Sequence, residues 1–276
     1  REGVVLAAAI SERGQDLTRP ATVATRIGSG WRIDGRKSFC TMSPAATDLY
    51  VAVTHVDGDG GERYAYAMVP TSAVGVIVHD DWDALGMRAS GSNSVSFEDV
   101  RLPRSALRGG FLVGDTVGFL RRNLDGGLFH AAVSLGIAEG AHDLVVGRIT
   151  GRGAVDSRTR TLVAENVVDL AAARAVFSRA AQLLDDHFRS TRPDEAGSTI
   201  TALFAEAQKA KVFVTEAAVR AADRALAVSG GAGYLNGSPL ARACRDVRAA
   251  AFMNPLGAGR AYEFLADLAL GGSATL

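Results

Sequence analysis

The sequence predicts an α+β protein, with a β-barrel or sandwich domain over residues 1–107 and an antiparallel α-helical bundle of four-helix type over 108–276. Three observations lead there. Residues 1–105 carry short apolar runs of period two, broken by turn residues. After the segment GGFLVGD, apolar positions recur every three or four residues. Strand and helix patterns are segregated rather than alternating, which does not fit a dinucleotide-binding fold.

The elements follow in order. In GWRIDGRKSFCTM, Trp31, Ile33, Phe39 and Thr41 alternate about Asp34-Gly35, a strong hairpin signal. Asp34-Gly35 is therefore expected at a turn, with Phe39 and Thr41 on the returning strand. DLYVAVTHV and RYAYAMVP flank the loop DGDGGE, a second hairpin. GVIVHDDW and NSVSFEDVRLP add two more short strands, the last closed by Pro103. From Asn123 to Val146, Leu128, Ala131, Ala132, Leu135 and Ala138 form one helical stripe. Residues 159–188 form another, through Leu162, Val163, Val167, Leu170, Ala173, Phe177, Ala180 and Leu184. A third run spans about 198–228, and shorter ones lie between 240 and 270. TRPDEAGS, with Pro193 and Gly197, reads as a helix–helix loop. Long alanine-rich helices joined by short loops indicate a bundle.

Composition narrows the function. The 276 residues carry 30 basic and 30 acidic side chains, so no broad basic field points to nucleic acid. No apolar run reaches the roughly 18 residues of a membrane span. Cys40 and Cys244 stand far apart without zinc-ligand spacing, which argues against a disulfide framework or a metal site and favours a reducing cytoplasm. The chain opens at Arg1 and runs at once into VVLAAAI, without the basic flank and cleavage site of a signal peptide. The expectation is that its beginning is missing.

Several motifs resemble, in order, those of the acyl-CoA dehydrogenase superfamily, which includes related flavin-dependent monooxygenases. AAAISERGQD is similar to its strand-end signature, with Ser11 and Glu12 matching and Arg13 in place of proline. GWRIDGRKSFCT, GMRASGSNSVSFEDVRLP, SGGAGY and RACRDVRA match further signatures. The resemblance implies a middle β domain and a C-terminal helical domain, with an N-terminal helical domain upstream. It implies FAD as cofactor, with FMN or reduced flavin as alternatives. Ser11, Phe39 and Thr41 would meet the flavin, Arg152 its pyrophosphate, and Gly230 and Gly231 the flavin of a neighbouring subunit. It also implies a homotetramer built as a dimer of dimers, a small-molecule substrate such as a CoA thioester, and a flavin reductase or electron-transfer flavoprotein as partner. Read from the residues alone, Phe39 is an ordinary inward strand residue and Thr41 a turn hydroxyl, and the glycine turn is a helix C-cap that can also receive a cofactor. Arg245 and Asp246 read as structural.

The resemblance breaks at the catalytic base. Removing a proton α to a thioester carbonyl requires a positioned carboxylate. The family's glutamate, nine residues after the arginine of the Arg-Asp pair, falls on Asn254, and its alternative position, after a Leu-Asp pair, falls on Gly127. Three readings stand: a dehydrogenase whose base is supplied from elsewhere, with Asp125 and Glu12 conceivable; a monooxygenase using reduced flavin and oxygen; and a non-catalytic subunit. SPAATD and the Asn254-Pro255 pair resemble the monooxygenases, although Met253 stands where many of them have histidine. His130, on the first long helix, has no assigned direction. The overall resemblance points to the dehydrogenase.

Overall fold

The computed structural model describes residues 3–14, 16–151, 153–190, 196–272 and 276. It divides into two compact units. One runs to Ala84 and resumes over Arg88–Phe119; the other holds Leu85–Met87 and the chain from Leu120 onward.

The first unit is a single eight-stranded sheet. Its strands are β1 (Leu6–Ala9), β2 (Val23–Ile27), β3 (Gly30–Lys37), β4 (Asp48–Val56), β5 (Glu62–Pro70), β6 (Val76–Val78), β7 (Val95–Pro103) and β8 (Leu107–Leu112). They lie in the order β6-β7-β3-β2-β4-β5-β8, with β1 parallel to β4. Alternation along the strands builds the core. Leu49, Val51 and Val53 of β4 face Ala65, Ala67 and Val69 of β5, with Ile33, Val95, Phe97 and Val100 completing it. Each such leucine- or phenylalanine-sized side chain contributes roughly 1.5–3 kcal/mol on full burial. The opposite face gathers Tyr64 and Tyr66 with Tyr50 and Phe111; Tyr50 and Tyr66 stack at 4.4 Å.

The DGDGGE hairpin forms as expected between β4 and β5, whereas the Asp34-Gly35 turn does not. β3 runs straight through both residues, and the β2–β3 turn falls at Gly28 and Ser29. Gly35 instead marks a bulge in the pairing of β3 with β7. Its φ is 148°, and a Cβ there would come within 2.6–2.8 Å of Thr22. The glycine serves close approach between strands, which produces the same sequence signal as a hairpin turn.

The second unit is helical: α1 (Thr116–Arg122, whose first residues belong to the sheet unit), α2 (Gly126–Ile149), α3 (Ser157–Ser190), α4 (Gly197–Ser229), α5 (Gly231–Tyr234), α6 (Pro239–Asp246) and α7 (Ala258–Ala269). α4 packs on both α2 and α3. Ala207, Ala210, Ala217, Ala218, Ala221, Ala222 and Ala225 are fully buried along it, and such small side chains let neighbouring backbones approach. α3 and α4 are antiparallel, since Glu165 pairs with Arg224, Asn166 bonds the Ala221 carbonyl and Asp169 pairs with Arg220. Among the described residues no helix is long and apolar enough to cross a membrane.

Candidate functional site

In the sheet unit, the loop leaving β3 is fastened on three sides. Ser38 N–H donates to the Ser11 carbonyl at 2.9 Å, Cys40 N–H to Asn93 at 3.0 Å, and Met42 N–H to Ser90 at 2.8 Å. Phe39 and Thr41 therefore sit in a loop, not on a returning strand. Phe39 adopts φ 56°, a left-handed conformation that costs a residue with a Cβ about 1–3 kcal/mol. Its ring is turned outward, 66% exposed, and meets Trp82 edge to face at 6.1 Å. Asn93 Oδ1 holds the Trp82 backbone, accepting its N–H at 2.8 Å. Thr41 Oγ1 lies 3.0 Å from Ser92 Oγ, which lies 2.7 Å from Ser90 Oγ. An outward aromatic wall thus adjoins a chain of hydroxyls, with Ser11 tied alongside.

Beneath Ser11 lies a buried ion pair. Lys37 Nζ and Glu12 Oε1 are 2.6 Å apart, with side chains 0% and 5% exposed. Glu12 also accepts from Ala21 N–H at 2.5 Å, and from Thr22 N–H and Oγ1 at 2.9 and 2.6 Å. Burial raises its pKa, but Lys37, Thr22 and Ala21 outweigh this and hold the carboxyl below the usual range. Burial pulls Lys37 down to about 8 against the opposing pull of Glu12. A carboxylate so engaged is a structural hub, so Glu12 is a poor candidate for a catalytic base.

In the helical unit, Gly230 ends α4 at φ 66° and ψ −160°, a conformation only glycine adopts readily. Gly231 opens α5, and a Cβ at either glycine would meet nothing within 4 Å. Arg152 lies outside the described residues. Asp246 accepts from Met87 N–H at 2.6 Å, and Gly86 packs so closely on the Arg245 carbonyl that a Cβ would clash at 2.3 Å. Asp246 thus anchors the Leu85–Met87 segment to α6.

The two positions at which the family carries its base converge. Gly126, at the start of α2, packs on Pro255, 3.3 Å from its Cβ position to Cδ. A Cβ on Gly127 would stand 3.0 Å from Gln208 Nε2 and 3.5 Å from Lys211 Cβ. Lys211 Nζ donates to the carbonyls of Met253 and Leu256 at 2.5 and 2.6 Å, clamping the turn that carries Asn254. His130, a turn along α2, bonds the Asn254 carbonyl. Burial, and then the Lys211 charge, lower the His130 pKa, with the bond to Asn254 opposing them. Burial brings Lys211 down to about 8. Gln208 is fully buried, and neither of its amide atoms has a partner.

The pole is thus polar, cationic and without a carboxylate at either base position. Trp82, Ser92, Gln208 and Lys211 belong to these sites and were not legible as such. Lys211 did carry one signal: it is one of only three lysines, Lys37, Lys209 and Lys211, in a chain rich in arginine.

Comparison with known proteins agrees with both halves of the chain. Residues 7–100 match the acyl-CoA dehydrogenase middle domain, and residues 128–254 match the acyl-CoA dehydrogenase C-terminal domain. L-evernosamine nitrososynthase of Micromonospora sp. is 36% identical over 254 residues, 88% of this chain and 58% of that protein. The crystal structure of a nitrososynthase from Micromonospora carbonacea var. africana superposes with TM-score 0.84 at 32% identity, covering 97% of this chain and 67% of the other. The structure of KijD3 with FMN and dTDP-3-amino-2,3,6-trideoxy-4-keto-3-methyl-D-glucose gives TM-score 0.87 at 29% identity, covering 98% and 66%. The chain spans about three fifths of the length of the curated relatives it matches. It belongs to the acyl-CoA dehydrogenase family, of which it carries the middle β domain and the C-terminal helical domain.

Proposed function

We propose that this chain is part of a flavin-dependent monooxygenase that oxidises the amine nitrogen of a nucleotide-linked amino sugar. One observation carries the reading: both base positions lack a carboxylate, at Gly127 and Asn254, and the ionisable groups gathered there, His130 and Lys211, are basic. Deprotonation of a thioester α carbon has no evident base there, whereas oxidation of an amine needs none on carbon. The kinship with nitrososynthases supports the same choice. The acyl-CoA dehydrogenase reading rests on the family alone, with Asp125 as its remaining carboxylate.

The residues present suit a flavin. An isoalloxazine needs an apolar wall and a few polar groups at its edge. Phe39 offers an exposed ring already held in an unfavourable backbone conformation, and Thr41 and Ser11 offer hydroxyls beside it. Reduced flavin with oxygen supplies the transferred oxygen atom. FMN is favoured over FAD because KijD3 carries FMN. Gly230 and Gly231, with open space at their Cβ positions, suit approach by the cofactor of a second copy, and the family resemblance gives Arg152 the phosphate end of the chain's own flavin. Exposed Phe129, Val133, Val167 and Phe252 on the helical unit support a homo-oligomer. A separate reductase would supply reduced flavin.

The test supplies reduced FMN, oxygen and a dTDP-linked 3-amino sugar, and follows the sugar by mass spectrometry. Oxygen added at nitrogen is expected; an unchanged sugar, with flavin reduction by an acyl-CoA thioester, would overturn the proposal.

A further inference from the structure

The amine-oxidising reading raises a chemical requirement that the converged pole meets. An aliphatic amine is an ammonium at pH 7 and has no lone pair until it loses a proton. His130 stands between the two positions that lack a carboxylate, a turn after Gly127 and bonded to the Asn254 carbonyl. A carbonyl only accepts, so the ring nitrogen facing Asn254 carries the hydrogen, and the second nitrogen of the neutral ring is an acceptor. The bond fixes both tautomer and direction.

The surroundings keep the ring neutral. Lys211 acts on it from α4, and the Met253–Leu256 turn brings backbone carbonyls and no ionisable side chain. On α2, Gly126, Gly127, Ala131 and Ser134 flank it. Independently, the fully buried and unpartnered Gln208 beside Gly127 marks this place as one built for a polar occupant.

We propose that His130 is the proton acceptor that converts the bound substrate ammonium to the free amine. This rests on the amine-oxidising reading above. In the step an N–H bond of the ammonium breaks, its electron pair stays on the amine nitrogen, and an N–H bond forms on the imidazole. The imidazolium then passes the proton to solvent, encouraged by the like charge of Lys211. No oxidant or reductant is consumed.

Two measurements decide it. In the 15N-histidine spectrum of the protein at pH 7, His130 is expected as a neutral ring in a single tautomer, protonated toward Asn254. A charged ring, or a proton on the other nitrogen, overturns the proposal. In His130→Gln, whose amide preserves the donor to Asn254, oxidation of the amino sugar is expected to fall by about 100-fold or more. The corresponding N-hydroxylamine is neutral at pH 7 and needs no base, so its oxidation is expected to change by less than about threefold, far short of a base's usual contribution. Equal loss on both substrates would reduce His130 to a structural residue and overturn the role alone. A wild-type protein that oxidises neither substrate would remove the amine-oxidising reading, and this role with it.

Discussion

Gly127 and Gln208 meet across α2 and α4 with little room for a side chain on the glycine: a Cβ would fall 3.0 Å from the Gln208 amide nitrogen. Gln208 is fully buried, so it yields only at the expense of its packing. Gly127→Ala is therefore expected to destabilise the protein by roughly 1 kcal/mol, overpacking outweighing the helix-propensity gain. Gly127→Ala combined with Gln208→Ala should recover most of the loss. Denaturant midpoints of the four proteins in this cycle check it, and simple additivity would contradict the contact.

Lys211 is expected to matter through the turn it clamps. Lys211→Met leaves the Met253 and Leu256 carbonyls without their donor. The loss should be about 2 kcal/mol or more in chemical unfolding. It should also raise the His130 pKa, because a neighbouring positive charge is gone. Histidine NMR titration of the variant reads this directly.

Glu12→Gln tests the hub under Ser11. Lys37 would remain buried beside a neutral amide, a loss of roughly 3–5 kcal/mol for a broken buried pair. Replacing both residues by apolar ones of similar volume should cost much less. Comparable loss in the single and double variants would contradict the pairing.

Stability should fall on acidification in two stages. His130 is held below its ordinary value of 6.5, so from that pH downward the unfolded chain takes up a proton that the folded chain refuses. Glu12 is held below its ordinary value of 4.5, and the stability it contributes above that pH is lost as pH falls through its folded value. Both slopes have the same sign. His130→Gln should remove the upper stage alone, as measured by urea midpoints from pH 8 to pH 3.

Period and turn chemistry made the segregated α+β architecture and the three long helices readable in the sequence, because burial along α2 and α3 follows one stripe each and α4 is buried between them. Asp34-Gly35 misled because a glycine forced by the approach of Thr22 looks the same in sequence as one forced by a turn. Phe39 misled likewise: an aromatic in alternation reads as a buried strand residue, while its left-handed backbone turns it out. The absent base at Asn254 and Gly127 was visible by counting. What stands there instead was not, since His130 and Lys211 meet the Met253–Leu256 turn, and Gln208 meets Gly127, only through long-range packing.

The central claim is that this pole oxidises nitrogen and does not abstract a proton from carbon. Its most direct test is an anaerobic absorbance titration of the flavin-loaded protein with a panel of acyl-CoA thioesters. The account predicts that the oxidised flavin band stays unchanged throughout. Bleaching by any thioester would contradict it and show that a base acts at this site after all.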